Sequence, residues 1–363
     1  MNAPLTETMT TETTDDVAAV KGVMLRDAWY YALASADLRA GTTTHRTLLG
    51  EPVLIGRDAG GKIFALRDTC PHRGTLLSRG PFDGKEVACP YHGWRFATNG
   101  QCTAIPSQTA DQRPQPADIR AQTFPAHEAA GNIWVFVGAR NATPPPLPAL
   151  PEAAKRPQLH LVMRFPCNID LAVIGLMDPA HGAFVHKSAV WRSEQSIHEK
   201  RKSFSPAPGA LGWRMDKHRA SSNSRAYRLF LGGQPETEIT YTLPSVRIEH
   251  ASTGRYNYVG LTACTPVTAD ATDVHHVMYW DIPGGALWRP VVRQVAHRFL
   301  DQDRVAVIAM QEGLAFSPST MLVRDADTQV RWYYRLKREW LAAAAEARAP
   351  ENALTPTVLT WRS

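Results

Sequence analysis

Alternation of apolar and polar positions sets in near Arg26, where "RDAWYYALASADL" (26–38) leads into a β-rich stretch. "EPVLIGRDAGGKIFALRD" (51–68) reads as two apolar strands around an Ala-Gly-Gly turn, and "GNIWVFVG" (131–138) as a further strand bounded by glycine. Loops rich in Pro and Gly lie between them, so 22–140 is expected to be a small all-β unit. "NATPPPLPALPEAAKRP" (141–157) holds too much proline for a regular helix or a central strand and reads as a stiff linker. Over 158–363 the pattern mixes periods. A helical segment is expected over about 168–187 and a long helix over about 286–314. Alternating strands are expected at "YRLFLGG", "TEITYTL", "SVRIEHAS", "NYVGLTAC" and "VHHVMYW". The class is α+β.

Composition narrows this picture. Hydrophobic residues make up 44% of 363, enough for a real core. The opening "MNAPLTETMTTETTDDVAAV" is Thr-rich, acidic and poor in large apolar groups, so 1–21 reads as a disordered tail rather than a secretory signal. No apolar run reaches the roughly 18 residues that span a bilayer. A cytoplasmic location is the expectation. The net charge of +6 comes without an aromatic-interleaved basic run, which argues against nucleic acid. Five Cys do not make a disulfide framework.

Two of those Cys fall in "CPHRGTLLSRGPFDGKEVACPYHGW", as Cys70-x-His72 and Cys89-x-x-His92. A zinc loop is the plain reading of two Cys and two His. In a zinc finger both Cys come together and both His follow on a helix. Here each loop supplies one of each. That split suits a two-iron cluster in which Cys70 and Cys89 hold one iron and His72 and His92 the other. Imidazole ligands raise the potential of such a cluster and make it a one-electron relay.

A relay needs a terminus. "NIDLAVIGLMDPAHGAFVHKS" contains Asp178, His181 and His186. His186 lies about 140° round an ideal helix from His181, so the helix must break if both are to meet one metal. Gly182 offers the break, and Pro179 biases Asp178 away from helical backbone. Two His need a carboxylate to form the facial triad that leaves open positions on Fe(II). In the long helix an apolar stripe runs Val292, Val295, Phe299, then Ala306, Met310, Leu314, and Asp303 fills its gap. A carboxylate on a buried stripe is costly unless paired or metal-bound. Asp303 is therefore the expected third ligand. In "VHHVMYW" only one of His275 and His276 can face the interior. The basic "SIHEKRKSF" (196–204) reads first as a solvated loop and second as a dock for an acidic ferredoxin or an anionic substrate.

From the flanks "CPHRG", "CPYHGW" and "DPAHGAFVH" onward, the chain resembles the Rieske non-haem iron oxygenases. It is most similar to the shorter α-subunit group of vanillate O-demethylase, dicamba monooxygenase and pheophorbide a oxygenase-like proteins. The resemblance implies a β Rieske [2Fe–2S] domain followed by a helix-grip-like catalytic domain with mononuclear iron. It implies a terminal oxygenase that takes O₂, with electrons from a separate ferredoxin or reductase and NAD(P)H used only indirectly. Hydroxylation or oxidative demethylation of an aromatic or bulky cyclic, even sterol-like, substrate is the implied reaction. It further implies that Asp178 bridges His92 of a neighbouring chain to its own His181 within a head-to-tail homotrimer. The chain departs from the group's pattern at Ile174, Gly175 and Ile308. A cis-dihydroxylating dioxygenase α subunit is the alternative within the superfamily, disfavoured by length. A Rieske electron carrier is the alternative outside it, and such a carrier needs no His181, His186 or Asp303.

Overall fold

The computed structural model describes residues 19–109, 111–140, 142–186, 197–220 and 225–363. Nine strands precede the proline-rich stretch: β1 Ala28–Ala34, β2 Thr42–Leu48, β3 Glu51–Arg57, β4 Ile63–Arg67, β5 Glu86–Ala88, β6 Arg95–Ala97, β7 Cys102–Ala104, β8 Ala126–Ala129 and β9 Asn132–Val137. They form three small antiparallel sheets, ordered β1-β9-β8, β2-β3-β4 and β5-β6-β7. Residues 142–157 hold no helix or strand.

Eight further strands make one antiparallel sheet. They are β10 Leu159–Phe165, β11 Glu199–Pro206, β12 Gly212–Arg219, β13 Glu236–Thr242, β14 Val246–Ser252, β15 Asn257–Thr268, β16 Ala271–Trp280 and β17 Thr357–Arg362. Their order is β10-β16-β15-β14-β13-β12-β11-β17. Helices α1 Ile169–Met177, α2 Gly182–Val185, α3 Arg225–Leu231, α4 Arg289–Leu314 and α5 Thr328–Ala345 accompany it.

β15 is buried at ten successive positions because both of its faces are covered. Val259, Leu261 and Ala263 pack with Tyr31 and Trp134 of the first body. On the other face Cys264 joins a core with α1 and α5, and Tyr258 joins one with Ala296 of α4. A strand covered on both sides reads as a continuous apolar run rather than an alternating one.

The structure alters several expectations. "YRLFLGG" is helix α3, not a strand, with Leu231 buried and Leu229 exposed as on one face of a helix. The basic segment forms β11 inside the sheet rather than a loop, and residue 196 lies outside the described residues. The expected tail lies outside them through residue 18. Val20 is buried, and the Gly22 amide donates to Asp170 at 2.6 Å, so the chain is anchored from there.

Candidate metal centres

The first set of donors hangs from β-hairpin ends. Cys70 follows β4, while Cys89 and Trp94 frame the turn from β5 to β6. Both loops close in the same way. The Gly74 amide donates to the Cys70 carbonyl at 2.8 Å and the Gly93 amide to the Cys89 carbonyl at 3.0 Å. Both glycines have φ near +70°, where a side chain would be strained. Asp68, fully buried, ties the first loop down. It accepts from the Ser78 amide at 2.7 Å and hydroxyl at 2.5 Å, and lies 2.6 Å from His45 Nδ1.

Cys70 and Cys89 are buried, whereas His72 is exposed and His92 half-buried. The two imidazoles lie 4.7 Å apart between ring centres, and His72 stacks flat on Trp94. Burial pushes the Cys70 thiol up to about 11, so a thiolate there calls for a cation. A single zinc would draw its donors to within roughly 4 Å of one another. Among the described residues no three of these four donors lie within 4.8 Å; the one group that does is His181, His186 and Asp303. Buried sulfurs with the imidazoles set outward fit an elongated two-iron group better than one ion.

The second set is built where α1 ends. Asp178 is its C-cap with extended backbone, φ −56° and ψ 119°, as the following proline demands. The break therefore falls at Asp178–Pro179, and not at Gly182, which opens the one-turn α2. His181 and His186 flank that turn as its two caps, so their rings converge. His181 Nδ1 donates to the Asp178 carbonyl at 2.8 Å, and His186 Nδ1 donates to Gln302 Oε1 at 3.1 Å. With both protons placed there, each Nε2 carries a lone pair. These two nitrogens are 3.1 Å apart, and Asp303 Oδ1 lies 3.1 Å from His186 and 3.5 Å from His181. Three electron-rich atoms facing one another repel unless a cation sits among them. An ion about 2.1 Å from each donor at right angles would set them about 3.0 Å apart. Burial also holds the His181 imidazole below its ordinary pKa, in the neutral form a metal requires.

Asp303 reaches this point because α4 buries Ala296, Leu300, Asp303 and Val307. The expected stripe was displaced by about one position. Val295 is 57% exposed and Met310 41% exposed, and Asp303 is where the two stripes meet. Sequence reasoning missed Gln302, and it placed Phe299 in the apolar stripe without its contact to His186, on which the ring stacks at 3.5 Å. Gly175 gains a local reason. A Cβ there would sit 3.0 Å from Val307, so glycine lets α1 approach α4 one turn from Asp303. Asp178 accepts from the Ala180 amide at 2.7 Å, and its carboxylate stands 3.9 Å from His181 Nδ1. A third of its side chain stays exposed in the single chain, while burial pushes its carboxyl above the usual range.

Comparison with known proteins places matches on both halves. Residues 28–125 match the Rieske [2Fe-2S] domain, and residues 165–343 match the vanillate O-demethylase oxygenase C-terminal domain. A chloroplastic chlorophyllide a oxygenase of Chlamydomonas reinhardtii is 36% identical over 173 residues, 46% of this chain and 25% of that protein. The oxygenase component of dicamba O-demethylase from Stenotrophomonas maltophilia is 33% identical over 169 residues, 45% of this chain and 48% of that protein. The chain thus spans about a quarter to a half of the length of these curated relatives. A crystal structure of dicamba monooxygenase bound to dicamba shares the fold, with TM-score 0.72 and 23% identity over 89% of this chain and 99% of that one. No helix among the described residues is long and apolar enough to cross a membrane.

Proposed function

Because the chain belongs to the Rieske oxygenases with a vanillate O-demethylase-type C-terminal domain, we propose that it is the terminal oxygenase of a multicomponent monooxygenase or demethylase. Its substrate in this reading is an aromatic or bulky cyclic compound, and a separate ferredoxin or reductase supplies electrons. The observation that carries the reading is the convergence of two imidazole Nε2 atoms and a buried carboxylate oxygen within 3.5 Å of one another. A [2Fe–2S] group held by Cys70, His72, Cys89 and His92 would supply single electrons, and iron held by His181, His186 and Asp303 would supply O₂ chemistry. The chain's own residues do the rest. The Asp178 carbonyl and Gln302 fix the imidazole tautomers, and Phe299 fixes the ring plane of His186. In this assignment 22–140 is the relay domain, 141–157 the linker and 158–363 the catalytic domain.

The same reading makes the working unit a head-to-tail homotrimer, with Asp178 bridging its own His181 to a neighbour's His92. Two observations support it. His72 and Tyr91 lie at an exposed tip, and α4 leaves Val291, Val295 and Val305 more than half exposed. An uncovered apolar face of this kind marks an interface. His181→Ala tests the iron assignment. It is expected to keep the cluster's visible absorbance while losing about one iron per chain and all O₂-dependent turnover. Surviving turnover would remove the second site from the account.

A further inference from the structure

The face of the eight-stranded sheet that meets the helices is apolar at both ends and polar between them. At one end Val274, Cys264 and Tyr241 pack with α1 and α5; at the other Met278, Trp280 and Tyr258 pack with Ala296 of α4. The register sets His276 opposite Thr262, and Thr262 opposite Arg247. One step along, Met278 pairs with Gly260, and Gly260 with Glu249. His275, Val277 and Tyr279 point the other way, towards Tyr31 and Trp134. So His276, Thr262, Arg247 and Glu249 form a stripe on the helix-facing side. Asp303 lies on that same side, near enough for its charge to act on His276.

Two features of the stripe point to a ligand. His276 Nδ1 is engaged with the Thr262 hydroxyl at 2.8 Å, while its Nε2 has no hydrogen-bond partner among the described residues. Arg247 is already paired with Glu249 at 3.0 Å, so its guanidinium is engaged. Burial and the Arg247 guanidinium press the His276 imidazole down to about 4, which keeps it neutral. Lys202 lies across the sheet on β11, where desolvation disfavours its ammonium. A carboxylate beside this stripe would meet Glu249 without a free guanidinium. A bare hydrocarbon would leave Nε2 unsatisfied, which is unfavourable in a partly dry site.

We propose that substrate lies against this stripe, that His276 is its specificity-determining residue, and that the His276 Nε2 hydrogen-bonds a neutral polar group of the substrate, of the amide or ring-carbonyl class. The inference rests on the oxygenase reading above and narrows its substrate class away from carboxylates and sterol-like hydrocarbons.

The test is equilibrium dialysis of three matched probes against the anaerobic holoenzyme: meta-methoxybenzamide, meta-methoxybenzoate and meta-ethylanisole. The amide is expected to bind about tenfold more tightly than either other probe, and His276→Leu to abolish that preference by weakening the amide while ethylanisole binds no more weakly than before. Equal binding of all three, a preference for the carboxylate, no binding of the amide, or an unchanged preference in His276→Leu would each overturn the inference. Iron content and cluster absorbance of the same preparation report on the oxygenase reading separately.

Discussion

Replacing Gln302 by Leu isolates what the side chain beside a ligand does. His186 is only 3% exposed, and its Nδ1 proton has Gln302 Oε1 as its acceptor at 3.1 Å. Without that acceptor the imidazole either buries an unpaired N–H or moves its proton to Nε2, where it blocks the lone pair. Loss of such a partner lowers metal affinity by about 10–100-fold. The Phe299 stack still holds the ring plane, so the lower end is expected: about tenfold, or about 1.4 kcal/mol. Chelator competition for Fe(II) under anaerobic conditions measures this, with the cluster's absorbance as an internal standard. Gln302→Glu keeps an acceptor and should bind iron at least as tightly as the parent. A Leu variant within twofold of the parent, or a Glu variant weaker than Leu, would refute the reasoning.

Two other predictions concern stability. His276 has a folded pKa near 4, below the ordinary 6.5, so the unfolded chain binds its proton first as pH falls. Its contribution is complete above pH 6.5 and is lost between 6.5 and 4; His276→Leu should reduce the stability lost from pH 6.5 to 5 by about 1–2 kcal/mol in urea titrations of metal-free protein. Identical slopes would count against a neutral imidazole at this position. Lys337 and Asp170 are both fully buried and bonded at 2.5 Å, with Tyr333 donating to the same carboxylate at 2.6 Å. Lys337→Met should cost about 3 kcal/mol by stranding Asp170, and adding Asp170→Asn should recover part of it; a loss under about 1 kcal/mol would show the pair to be dispensable.

How much of this was legible in the sequence depended on range. The cysteine and histidine pairs were readable because each lies within one short loop, and so were His181 and His186 on either side of a single turn. Asp303 was reached through a stripe that is half exposed. Val295 and Met310 are apolar yet uncovered in the single chain, and a sequence cannot separate an interface from a core by hydrophobicity. The buried stripe uses Ala296, whose small side chain signals little. Gln302 gave no signal, because it is an ordinary polar residue about 100° round the helix from Asp303. "YRLFLGG" was misread because a short apolar segment fits either period. Which of His275 and His276 faces inward needed the strand register.

The central claim is that electrons pass between chains, and complementation tests it most directly. Cys70→Ser disables the relay and leaves the iron site intact; His181→Ala does the reverse. Each alone should be inactive. Co-assembled in one oligomer and driven by a surrogate reductase, the pair should regain O₂ uptake, because one chain's cluster serves its neighbour's iron. Mixed oligomers that form and remain inactive would contradict the account.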